Sequence, residues 1–251
     1  MSLRRFRSFL KRIPLDGYTK RFERIKWVEQ DLPKEILPLY SIYRYYWEDK
    51  KYLEFETWFE RFWKEINNNR ESKKALKKFK KYYFNRTIEE NGWFKKGFKA
   101  RMYRTWISIL TQLDFCYMFK YICKKERRNF TIECSAELDM KGIDAKVGEI
   151  CFQITKISYR KEARKSRRSR RIIQIPYAVF NIGELQRRIE SPRTRNKKRY
   201  RKLLKNFQKY FDVLKNGFVV FKEDYVKMII ENLENQEELE KIISKIFKEF
   251  Q

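Results

Sequence analysis

The 251-residue sequence contains no histidine. That absence removes Ser-His-Asp and Cys-His hydrolysis, zinc sites built on imidazole, and nucleases whose general base is histidine. Any chemistry must run on carboxylates, lysine, tyrosine or a hard metal ion. Glycine and proline are scarce, at 7 and 5 residues, so long helices should dominate and the prolines should mark breaks. The four cysteines, Cys116, Cys123, Cys134 and Cys151, form no C-x-x-C pair and lie in or beside apolar stretches. With no signal-peptide pattern either, buried reduced thiols in a cytoplasmic protein are expected, not a zinc site or a disulfide framework. No apolar run approaches the roughly 18–20 residues of a membrane span, so a soluble chain is expected. Acid is also short: 33 Asp and Glu against 61 Lys and Arg leave a formal charge of +28.

A charge of that size repels itself in the folded state and points to a polyanionic partner, nucleic acid before an anionic membrane; a basic solubilising surface is the bland alternative. With 42% hydrophobic and 17% aromatic residues the chain can still build a core. From about Tyr18 to Lys125 the pattern is that of successive amphipathic helices. Phe55, Trp58, Phe59, Phe62, Trp63 and Ile66 form one stripe, read as core and not as a stacking platform for bases. Pro33 and Pro38 bracket a turn or helix start. Residues 100–125 predict a strong helix, after which the period changes. Strands are expected over residues 130–135, 143–147 and 150–156, the last two joined by a hairpin at Gly148. Further elements follow: a strand over 172–180, helices over 183–189 and 200–214, a strand over 217–221 leading into a helix over 225–233, and a solvated acidic helix beyond.

Phosphodiester hydrolysis without histidine calls for a divalent cation that readies a water and offsets charge at phosphorus. Hard ions such as Mg²⁺ take oxygen ligands, one or two of them carboxylates. Asp139 and Asp144 supply carboxylates before and at the start of one predicted strand, and Gln153 and Lys156 lie on its hairpin partner. This is the form of the PD-(D/E)xK nuclease core. In a strict QxK the lysine would fall at position 155, which is Thr155. Strand alternation then aims Lys156 to the wrong face, unless a bulge near Thr155 re-aims it or Lys146, on the Asp144 face, substitutes. The densest charge follows the hairpin, with nine basic residues over 156–171 and seven over 193–202.

Several segments, in matching order, resemble the TaqI family of type II restriction endonucleases: residues 26–33 (KWVEQDLP), 100–112 (ARMYRTWISILTQ), 137–144 (ELDMKGID), 159–164 (YRKEAR) and 216–221 (NGFVVF). The resemblance runs through nearly the whole chain. It implies Mg²⁺-dependent cleavage of double-stranded DNA at the palindrome TCGA by a homodimer. It also implies metal-binding carboxylates at Asp139 and Asp144 and a catalytic lysine at Lys156, with Gln153 expected to hydrogen-bond nearby as a weaker participant. Where the family shows Gln-x-Lys-Lys, this chain has Gln153-Ile154-Thr155-Lys156, so the second lysine is kept and the first replaced. Arg160, Lys161, Arg164, Arg167, Arg168, Arg193 and Arg195 are expected at the DNA, arginine being the favoured reader of guanine edges. The expected fold is α+β: a helical N-terminal half, residues 1–99, packed on a small mixed sheet of the PD-(D/E)xK core in residues 100–251. A sequence-specific DNA-binding protein that has lost catalysis, or an RNA-binding protein, are the alternatives.

Overall fold

The computed structural model describes residues 2–23, 32–83, 93–157, 172–178, 180 and 182–250. In chain order the helices before the sheet are α1 (Ser2–Leu10), α2 (Leu15–Glu23), α3 (Leu39–Tyr43), α4 (Phe55–Asn68), α5 (Arg70–Tyr83) and α6 (Trp93–Lys125). Strand β1 (Ile132–Glu133), helix α7 (Ala136–Asp139) and strands β2 (Ala145–Val147), β3 (Ile150–Lys156) and β4 (Ile172–Tyr177) come next. Helices α8 (Ile182–Glu190) and α9 (Lys197–Tyr210), the hairpin β5 (Phe211–Val213) and β6 (Val219–Phe221), and helices α10 (Glu223–Glu231) and α11 (Gln236–Glu249) complete the chain. The fold class is α+β, as the change of period predicts. Two compact units are present: residues 12–113, and residues 1–11 together with 114–251.

Aromatic side chains make the core of the helical unit. Phe55, Trp58 and Phe59 of α4 are fully buried and Phe62 and Ile66 nearly so, so these rings are core and offer bases no platform. The Phe55 ring lies 5.5 Å from Tyr18, 5.2 Å from Tyr103 and 5.4 Å from Trp106, a set of edge-on and tilted contacts suited to ring quadrupoles. The Trp58 indole donates to Ser41 Oγ at 3.1 Å, which satisfies its buried polar end. Pro33 leads into a 3₁₀ turn at Lys34–Ile36 and Pro38 caps α3, the two breaks expected of them.

In the sheet unit β1, β2 and β3 form an antiparallel meander, and β4 runs parallel to β3 at the sheet edge. Pro176 is tolerated there because its carbonyl accepts from the Tyr225 hydroxyl at 3.1 Å. Its N–H position therefore also faces away from β3, where a missing donor costs nothing. The rings of Phe115, Phe152, Tyr177, Phe211, Phe221 and Tyr225 pack the core, with Phe115 5.4 Å from Phe221 and 6.1 Å from Phe152.

Several expectations change at their edges, among them the strand predicted over 172–180, which ends at Tyr177, and the strand predicted over 217–221, which begins at Val219. The strand predicted over 130–135 pairs only at Ile132 and Glu133. The strand predicted from Ile143 begins at Ala145, because Ile143 closes a turn described below. The helix predicted over 200–214 covers Lys197–Tyr210 and ends where Phe211–Val213 pair with β6, tertiary pairing overriding a helical spacing of apolar residues. Helix α1, with Leu3, Phe6, Phe9 and Leu10 buried, lies in the helical N-terminal half but ahead of the amphipathic run read from about Tyr18.

Candidate active site

The acidic segment is shaped by local rules. Ser135 caps α7, its hydroxyl accepting from the Leu138 amide at 3.3 Å. The helix closes after one turn: Gly142 N–H donates to the Asp139 carbonyl at 2.8 Å and Ile143 N–H to the Leu138 carbonyl at 3.0 Å. This is a Schellman closure, and Gly142 takes the left-handed residue it requires, at φ 74°. Ile143 then enters the core. The closure turns the chain between Asp139 and Asp144, which immediately precedes β2.

Asp144 is buried, at 5% exposure. Ala145, Lys146 and Val147 pair in register with Phe152, Cys151 and Ile150, but one residue earlier the ladder slips. The Asp144 amide donates to the Phe152 carbonyl at 2.9 Å, so Asp144 and Ala145 share one partner residue, a bulge. On the same edge of β3, the Ile154 N–H donates to Asp144 Oδ2 at 2.6 Å. The carboxylate thus acts as a strand acceptor, and its position is fixed by the sheet it belongs to.

The bulge proposed near Thr155 is not there. Residues 151–156 of β3 pair one for one with 172–177 of β4, so Lys156 shares a face with Phe152 and Ile154, opposite Gln153 and Thr155. The irregularity lies instead on the other strand, at Asp144, whose carboxylate takes over a backbone bond by accepting the Ile154 N–H. Lys156 is exposed at the end of β3. Lys146 is half-buried on the Cys151 face, its ammonium 3.4 Å from Glu149 Oε1 at the hairpin turn. Thr155 Oγ1 donates to the Gln153 carbonyl at 3.4 Å.

Beside Gln153 on β4 lies Gln174, buried at 5% exposure, with its amide Nε2 lacking a hydrogen-bond partner among the described residues. Sequence reasoning passed over it. The signal was a polar residue inside the apolar run Ile172-Ile173-Gln174-Ile175. Of the basic residues expected at DNA, Arg193 and Arg195 are exposed on the segment between α8 and α9, while Arg160, Lys161, Arg164, Arg167 and Arg168 lie outside the described residues.

The donor chemistry suits a hard cation. Asp139 and Asp144 offer carboxylate oxygens and Gln153 an amide oxygen. The cysteines do not compete: all four are free and buried. Burial pushes the Cys134 thiol well above its ordinary value, with its hydrogen bond to Cys116 and the charge of Asp139 acting the same way. Among the described residues no three His, Cys, Asp or Glu side chains converge as a ligand set.

The family description "TaqI restriction endonuclease" matches residues 3–233. The chain belongs to this family. It is 35% identical over 240 residues to the type II restriction enzyme TthHB8I of Thermus thermophilus, covering 90% of this chain and 85% of the relative. It is 34% identical over 243 residues to the type II restriction enzyme TaqI of Thermus aquaticus, covering 91% and 86%. No solved structure matches the chain. The family match contains α7 and all four strands of the mixed sheet and stops before α11. Among the described residues no helix is long and apolar enough to cross a membrane.

Proposed function

We propose that the protein is a site-specific endonuclease of the cytoplasm that hydrolyses double-stranded DNA at a short palindrome, TCGA, as a homodimer with Mg²⁺. The observation that supports this is the Schellman turn that separates Asp139 from the sheet-anchored Asp144, in a chain of the TaqI family. Asp139 and Asp144 would hold the ion. When bound, Mg²⁺ supplies a Lewis acid for the phosphoryl oxygen and a lowered pKa for its water. Lys156, at the exposed end of β3, steadies the charge that develops on the attacked phosphate, and Gln153, on the other face of β3, is a weaker participant. The buried setting of Asp144 keeps its geometry from relaxing as the phosphate arrives.

Arg193 and Arg195, exposed between two helices, meet the DNA, and the arginine-rich run over 160–168 supplies further phosphate and base contacts. A palindromic target read by a twofold-symmetric dimer gives each protomer one strand to cut.

The test is incubation of supercoiled plasmid with purified protein and Mg²⁺, followed by sequencing of the fragment ends. Ends at one short palindrome are expected, with cutting abolished by a chelator; random ends overturn the specificity. One observation favours a second reading. Thr155 stands where the family has a lysine, which suits a protein that binds its site and has lost cleavage. Tight binding to a TCGA duplex with no cutting by the wild type would establish that reading instead. Preference for structured RNA in competition would sink both.

A further inference from the structure

The helical unit carries its own concentration of charge, outside the basic runs over 156–171 and 193–202. In α5, Leu76 and Phe79 are buried, while Arg70, Lys73, Lys74, Lys77, Lys78 and Lys81 are all exposed. These six recur at three- and four-residue spacing, so they form one stripe on the side of the helix away from its apolar face. Glu71 is the only acid in the helix. None of the six side chains has an ion-pair or hydrogen-bond partner among the described residues. Acids of the same unit are engaged elsewhere: Glu56 with Arg21 and Lys99, Glu60 with Lys95, and Glu65 with Arg44.

Such a stripe opposes the helix it sits on. Like charges four residues apart repel, and here Arg70 and Lys74, Lys73 and Lys77, Lys74 and Lys78, and Lys77 and Lys81 are all so placed. A polyanion relieves that repulsion. The stripe spans about 16 Å of helix, and a duplex presents one phosphate charge per about 1.7 Å of its axis. Its chemistry is also selective: five of its six cations are lysines, compact and strongly hydrated point charges, whereas the runs over 156–171 and 193–202 are rich in arginine, the planar fork that reads bases. We propose that the exposed face of α5 is a second DNA contact, one that binds the phosphate backbone without regard to sequence. The inference rests on the endonuclease reading above and adds to it a surface in the unit that does not carry the proposed catalytic residues.

The experiment compares wild type, a variant with Lys73→Gln, Lys74→Gln, Lys77→Gln and Lys81→Gln, and a control with Lys215→Gln, Lys241→Gln, Lys245→Gln and Lys248→Gln, which removes the same charge elsewhere. Binding to two duplexes, with and without TCGA, is measured from about 50 to 200 mM salt in the absence of divalent ion. Circular dichroism confirms that each variant is folded. The α5 variant should lose at least about tenfold in affinity for both duplexes, with the slope of log affinity against log salt shallower by about 2 to 4. Its ratio of affinities for the two duplexes should stay that of wild type, and the control should follow wild type. Equal slopes for the α5 variant and wild type, an equal loss in the control, or a loss confined to the TCGA duplex each overturn the proposal while leaving the endonuclease reading intact. A wild type that binds neither duplex overturns both.

Discussion

At Asp144 two demands fall on one side chain. Its carboxylate accepts the Ile154 N–H at 2.6 Å and is also the acid proposed to hold the ion. Substitutions separate the two. Asp144→Asn keeps an acceptor for Ile154 and removes the charge, so it should fold with near-wild-type stability, bind the TCGA duplex as well or better, and cut at least about a hundredfold more slowly. Asp144→Ala also leaves the Ile154 N–H without this acceptor, adding a loss of about 1–3 kcal/mol in stability. Thermal denaturation with single-turnover cleavage reads both effects, and an Asn variant that cuts normally would make the acid purely structural. The lysine is settled the same way. Lys156→Ala should lose most cleavage with binding retained, whereas Lys146→Ala, whose ammonium lies at the hairpin turn beside Glu149, should retain it. The reverse result moves the role to Lys146.

At the scale of elements, the turn between the two acids bears the most. Gly142 is held at φ 74° with open space where a Cβ would go, so Gly142→Ala meets backbone strain and no clash. It should cost about 1–2 kcal/mol, near 2–8 °C in melting temperature for a chain of this size, and slow cleavage further by displacing Asp139 relative to Asp144. Melting and cleavage of Gly142→Ala against Gly142→Asn check this, Asn being the better tolerated of the two. This turn was half legible: the acids, the glycine and the hairpin at Gly148 stand in the sequence with their spacing. The bulge was not, because it depends on which carbonyl of β3 the Asp144 amide meets. Nor was the end of α9, since Phe207 and Phe211 keep a helical spacing and only pairing with Phe221 turns Phe211 into strand. The stripe of α4 was read correctly because one face of one helix is a local property.

For the whole molecule, the least legible feature was the return of the N-terminus to the sheet unit. Arg7 donates from Nε and Nη2 to the two carboxylate oxygens of Asp114, at 2.8 and 2.9 Å, across 107 residues of sequence. The same Asp114 accepts the Phe221 N–H at 2.9 Å, and Arg7 donates to the Phe221 carbonyl at 2.6 Å. Three elements, α1, α6 and β6, therefore meet at one ion pair. Asp114 is fully buried within the stretch from Ile109 to Phe119, where α6 has no exposed residue, and there an aspartate is a liability unless a cation reaches it. Arg7 is only 19% exposed, so solvent screens the pair little. Asp114→Ala should strand the guanidinium and leave the Phe221 N–H open, costing about 3–5 kcal/mol. The double variant Arg7→Met with Asp114→Leu removes both charges and should cost less than Asp114→Ala alone, because no uncompensated ion is left behind. Denaturant unfolding of wild type, Asp114→Ala, the single variants Arg7→Met and Asp114→Leu, and the double variant decides between this and a merely local contact. Additive losses in the double variant would mean that the pair does not couple and that α1 is held by Phe6 and its neighbours instead.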